Sequence, residues 1–135
     1  MSEKEKIDTA QAPKAIGPYS QGILASSDAQ FIFVSGQLPV DPQTAKLVEG
    51  DIKALTKRVI DNMEAILQAA GSSLQHVVRT DVFLKDLKRD FAEMNEEYAK
   101  RFTGPAAPAR QTIQVAELPL GALIEISCIA LKRVS

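Results

Sequence analysis

The sequence predicts an α+β fold, a two-layer sandwich in which a six-stranded mixed sheet carries two helices on one face. Two segments place apolar residues at three- and four-residue spacings, while the remaining patterned segments alternate or are rich in β-branched and aromatic residues. Two helices cannot cover both faces of six strands, which argues against a doubly wound sheet. The last strand is apolar on both sides: Ile124, Ile126, Cys128 and Ala130 alternate with Leu123, Glu125, Ser127, Ile129 and Leu131. The face without helices must then be buried against another subunit, so an oligomer is expected.

The elements follow in order. "KAIGPYSQGIL" has Gly17-Pro18 punctuation followed by an extended run, and "AQFIFVSGQLPVDPQT" reads as a strand ending at Ser35-Gly36. "GDIKALTKRVIDNMEAILQAAG" sets Ile52, Leu55, Val59, Met63, Ile66, Leu67 and Ala70 on one stripe, with Asp51 at its start and Gly71 just past its end, and is the clearest helix. "HVVRTDVFLKDL" alternates Val78, Thr80, Val82 and Leu84 with Arg79, Asp81, Phe83 and Lys85, the pattern of a half-polar strand. "RDFAEMNEEYAKRF" presents Phe91, Met94, Tyr98 and Phe102 at helical spacing. Strands near 110–115 and 123–131 complete the order.

A chain of 135 residues is expected to be a single domain, 1–135, without repeats or linkers. Lys+Arg 16 against Asp+Glu 17 leaves a net charge of -1, which offers no electrostatic case for nucleic acid or an anionic membrane. With one cysteine no internal disulfide can form, and "MSEKEKID" lacks the apolar core of a signal peptide; a cytoplasmic location is expected. One histidine and one cysteine make no zinc site, and no calcium loop, Walker A loop, GxGxxG or GxSxG pattern occurs, so neither metal nor nucleotide chemistry is indicated.

Two polar residues stand out. In "GPAAPARQTIQVAELPLG" Arg110 is the only basic residue, framed by Pro105 and Pro108, which stiffen the approach to an apolar strand. It either snorkels at a strand end or is aimed at a ligand. Glu125 lies within "LPLGALIEISCIALK", where a carboxylate must be paired, protonated, at a surface, or held in a cleft for proton work. Successive strands joined by "ELPLG" carry the two, which would allow them to approach one another. Ser35-Gly36 is a turn or a place of close ligand approach, Tyr19 a packed aromatic or a ligand contact, and Cys128 an inert core thiol.

Together "IGPYSQG", "FVSGQLPVDPQT", "TDVFLKDL", "AAPARQTIQVAELP" and "IEISCIA" resemble the Rid family, the reactive intermediate deaminases also known by the YjgF name, from about Ala12 to Lys132. The arginine of "PAR" and the glutamate of "IEI" are similar to those of the RidA subgroup. The resemblance implies a homotrimer of chorismate-mutase-like fold with clefts between subunits. It also implies hydrolysis of 2-imino acids such as 2-iminopropanoate and 2-iminobutanoate to 2-keto acids and ammonia, with no cofactor or metal. Arg110 would anchor the substrate carboxylate through bidentate hydrogen bonds, and Glu125 would position the attacking water. Tyr19, Ser35, Gly36 and Asn95 would line the cleft, Thr112 would offer backbone groups, and Pro119 an apolar wall. Many relatives carry cysteine where Thr112 stands, so thiol chemistry is not expected there. The competing expectations are a metabolite-binding regulatory trimer without turnover and an endoribonuclease or translation inhibitor.

Overall fold

The computed structural model describes residues 3–26 and 28–133; Met1, Ser2, Ser27, Val134 and Ser135, which belong to the expected 1–135 domain, lie outside them. Among the described residues eight strands and two α-helices follow one another: β1 (Lys4–Ile7), β2 (Gly22–Ala25), β3 (Ala29–Gln37), β4 (Val40–Asp41), β5 (Lys46–Leu47), α1 (Ile52–Ala69), β6 (Val77–Leu84), α2 (Leu87–Arg101), β7 (Ala109–Gln114) and β8 (Ile124–Arg133). The central sheet has order β3-β8-β6-β7, with β3, β8 and β6 antiparallel in turn and β7 parallel to β6. α2 supplies the crossover that a parallel β6–β7 pair requires.

The fold is thus α+β with two helices on one mixed sheet, but that sheet is four-stranded rather than six-stranded. β2 pairs with β1 instead of joining β3, and β4 pairs with β5 in a small ladder of its own. The cause lies at the end of β2: the Ser26 amide bonds Glu3 O at 2.8 Å, continuing the β1 ladder, and the Ala29 amide bonds back to Ser26 O at 3.4 Å, so the chain turns before β3 starts.

α1 packs on β3 and β8, and α2 on β6 and α1. Between them Val59, Ile60, Met63, Leu67, Val82, Leu84, Met94, Tyr98, Ile124 and Ile126 are fully buried, together with much of the stripe expected of each helix. Ile66 and Phe91 depart from it and stay partly exposed. α1 begins where Asp51 Oδ1 accepts from the Ala54 amide at 2.9 Å, and the chain leaves it through Gly71, whose φ of +81° is cheap only for glycine. Asp51→Ala should therefore cost about 1 kcal/mol, read as a fall of roughly 4 °C in a thermal melt. An unchanged melting temperature would mean that this cap is not made in solution.

Both α-helices among the described residues pack on one face of the sheet, which leaves the opposite face without a helix of theirs. There Phe31 and Phe33 are 57% and 74% exposed with ring centroids 6.3 Å apart, and Ile113 is 43% exposed. Ile113, Phe83 and Glu125 are directly paired across β7, β6 and β8, which sets Glu125 in an apolar row of this face. Among the described residues no helix is long and apolar enough to cross a membrane.

Candidate active site

Arg110 leaves β7 on the helix-covered face, beside Thr80. Its Nη1 donates to Asn95 Oδ1 on α2 at 2.7 Å, and ring faces of Tyr98, Tyr19 and Phe91 stand 4.8, 5.7 and 6.0 Å from its Cζ. No carboxylate pairs with it among the described residues. Burial pulls its pKa below the ordinary arginine value, an effect that Tyr98 and Tyr19 partly offset. The result is a half-buried cation with one neutral oxygen partner and aromatic faces, a guanidinium with unused donors for a planar anion.

Two loops build this arrangement. The Ser20 hydroxyl donates to Ala107 O at 2.5 Å and its amide to Pro108 O at 3.2 Å, tying "GPYSQG" to the proline loop that leads into Arg110. The Tyr19 hydroxyl accepts from the Ile16 amide at 3.3 Å, and the Gly17 backbone passes so close that a Cβ there would stand 3.7 Å from Arg110 Nη2. Thr112 follows Arg110 by two residues on the same face, and its hydroxyl is buried without a hydrogen-bond partner among the described residues. β7 is an edge strand, so part of its backbone near Thr112 faces away from β6.

Glu125 belongs to a second group. Thr80 is directly paired with both Arg110 and Cys128, and Glu125 stands three residues from Cys128 along an unshifted ladder, hence on the opposite face. Nor are β7 and β8 neighbours, because β6 lies between them. The expected approach of Arg110 to Glu125 therefore does not occur within one copy of the chain; "ELPLG" joins strands that are successive in sequence but separated in the sheet. What Glu125 does meet is Gly36. A Cβ at Gly36 would lie 2.6 Å from Glu125 Oε2 and 2.7 Å from its Cδ. Ser35 and Gly36 fall where the β3–β8 register shifts between Val34 and Gln37, one extra residue on β3 and so a bulge.

The match to known proteins covers both groups. The family model described as Endoribonuclease L-PSP matches residues 9–132. A RutC family protein of Pyrococcus abyssi is 54% identical over 130 residues, 96% of this chain and 98% of that protein. The chain belongs to the Rid family. An Arabidopsis thaliana relative, Reactive Intermediate Deaminase A, chloroplastic, is 48% identical over 128 residues, 95% of this chain and 66% of that protein. A crystal structure of Escherichia coli TdcF with bound serine superposes with a TM-score of 0.71 at 38% identity, covering 95% of this chain and 98% of that one.

For a Rid chain, the residues expected from sequence divide by position. Arg110, Asn95, Tyr19 and Thr112 stand on the helix side, whereas Glu125 and Gly36 meet at the bulge with Ser35 next to them. Pro119 opens a tight turn, Pro119–Gly121, in which exposed Leu120 adopts a φ of 61°. Clefts of about 340 and 400 Å³ adjoin this turn and share Gly121, Ala122 and Leu123, but neither is lined by Arg110 or Glu125. The sequence pattern does not mark Phe91, Tyr98 or Ser20 as site residues. The first two lie on the α2 stripe with Asn95 among them, a signal that the helix faces the arginine as well as the core. Burial pushes the Cys128 thiol up to about 12, leaving it un-ionised at neutral pH.

Proposed function

We propose that this chain hydrolyses reactive 2-imino acids, 2-iminobutanoate and 2-iminopropanoate, to 2-keto acids and ammonia. The carrying observation is Arg110, a half-buried guanidinium with no carboxylate partner among the described residues and one neutral oxygen on it. Two parallel N–H donors would hold the substrate carboxylate and set the plane of the adjacent C=N group. Glu125 then accepts a proton from a water as that water's oxygen adds to the imine carbon, and returns that proton to the former imine nitrogen, regenerating the carboxylate; the carbinolamine hydroxyl proton follows the same route to the nitrogen as the C–N bond breaks. Collapse of the carbinolamine breaks the C–N bond, giving ammonia and the keto acid; the sum is imino acid plus water. Ser35, Gly36, Tyr19 and Asn95 line the cleft in this reading, with Thr112 offering backbone groups and Pro119 an apolar wall.

Because Arg110 and Glu125 stand on opposite faces of one sheet, one site needs two copies of the chain. A homotrimer with clefts between copies answers this. Exposed Phe31, Phe33 and Ile113 on the face that carries Glu125 support burial of that face by a neighbour. The proposed compartment is the cytoplasm; the Arabidopsis relative is named as chloroplastic, so family membership does not carry the assignment.

The test is ammonia release from 2-iminobutanoate generated in place by a threonine dehydratase. Faster release with the protein present supports the hydrolase, and an unchanged rate overturns it. The second reading, a metabolite-binding trimer without turnover, is favoured by the serine bound to TdcF, and keto acid binding without acceleration would select it. An endoribonuclease rests on the family description alone, and the net charge of -1 supplies little attraction to phosphates.

A further inference from the structure

The buried hydroxyl pair behind Arg110 has no part in the chemistry above, yet its geometry is specific. The Tyr98 ring is the nearest of the aromatic faces around the guanidinium, at 4.8 Å, and is itself wholly buried. Its other contacts fix it in place: Phe102 stacks on it with centroids 4.3 Å apart and 25° between planes, and its hydroxyl shares a 2.7 Å hydrogen bond with the buried Thr80 hydroxyl on β6. Burial pushes the Tyr98 phenol up to about 12, so it stays neutral and cannot serve Arg110 as a counter-ion. What it offers is the negative face of an immobile ring.

We propose that Tyr98, held by Thr80 and Phe102, is a positioning residue that sets the orientation of the Arg110 guanidinium through its ring face. The proposal rests on the reading that Arg110 anchors a carboxylate. Asn95 Oδ1 bonds only Nη1, and one hydrogen bond lets a planar fork pivot. A ring face behind the fork removes that pivot, and the remaining N–H groups keep one direction in which a carboxylate finds two parallel donors. Because Thr80 is directly paired with Arg110 across β6 and β7, the clamp on the ring hydroxyl and the root of the arginine share one rung of the sheet. Relative placement of ring and fork is thereby tied to backbone rather than to flexible side chains.

The decisive experiment is a calorimetric titration with 2-oxobutanoate, a stable keto acid that needs no turnover, on wild type, Arg110→Ala, Tyr98→Phe, Tyr98→Leu and mono- to trifluorinated phenylalanines at position 98. Tyr98→Phe keeps the ring and should bind within about threefold of wild type, whereas Tyr98→Leu should weaken binding about 5- to 30-fold, the span of a desolvated cation–π contact. Stepwise fluorination withdraws charge from the ring face while hardly changing its shape. Affinity should fall with each fluorine at an unchanged melting temperature, a trend that a merely structural role for the ring does not produce. This series also carries the test if the leucine variant does not fold. A flat series with Arg110→Ala still inactive in binding overturns the role of Tyr98 and leaves the anchor intact. Wild-type and Arg110→Ala affinities that are equal overturn the anchor, and the positioning role with it.

Discussion

Arg110→Ala is expected to lower kcat/KM for 2-iminobutanoate by about 100- to 10,000-fold while the protein stays folded. The size follows from two charge-assisted hydrogen bonds at about 1.5–3 kcal/mol each and about 1.4 kcal/mol per tenfold in rate. Stability should hold because the guanidinium bonds a single side-chain oxygen and has no carboxylate partner among the described residues, so its removal also lifts a desolvation cost. Arg110→Lys keeps the charge but neither the fork nor its fit against the rings of Tyr19, Phe91 and Tyr98, and should recover only a small part of the loss. A folded Arg110→Ala protein that releases ammonia at the wild-type rate would remove the carboxylate anchor from the mechanism.

Local periodicity carried the two helices and the alternation of β6 and β8, because one buried face imposes a period on side chains whatever their distant partners. It also marks Ser35-Gly36 as a break, but as a strand end, whereas β3 runs through a bulge there to Gln37. Strand order was less legible. Proximity in sequence suggested that the strands of Arg110 and Glu125 meet, but α2 between β6 and β7 makes a parallel pair possible and puts β6 between β7 and β8. The two-strand ladders β1–β2 and β4–β5 depend on backbone bonds such as that from Ser26 to Glu3, which leave no period in the side chains. Tyr98 illustrates a different limit. Its spacing marks it as core, and it is fully buried, yet its ring also faces Arg110. A residue serving both uses carries the signal of the commoner one.

Gly36 joins the bulge to the proposed chemistry. Glu125→Gln should keep 2-oxobutanoate binding within a few-fold, since in this reading Arg110 holds the carboxylate and Glu125 acts on the water, but should lower kcat by about 100- to 10,000-fold, the usual contribution of a general base. Gly36→Ala tests the same group without touching it. The added methyl would stand 2.6 Å from Glu125 Oε2 and 2.7 Å from Cδ, so the carboxylate must move. Those atoms form the far end of a flexible side chain, and rotating it away is inexpensive; the melting temperature should barely change. A displacement of the carboxylate by about 1 Å is nevertheless enough to cost on the order of 100-fold in rate. Gly36→Ala is therefore expected to resemble Glu125→Gln in kinetics and wild type in stability, and the double variant should be hardly worse than either, because both act on one group. Full activity in Gly36→Ala would show that the position of the Glu125 carboxylate does not matter to turnover, and a double variant with multiplied losses would show that Gly36 acts through something other than Glu125.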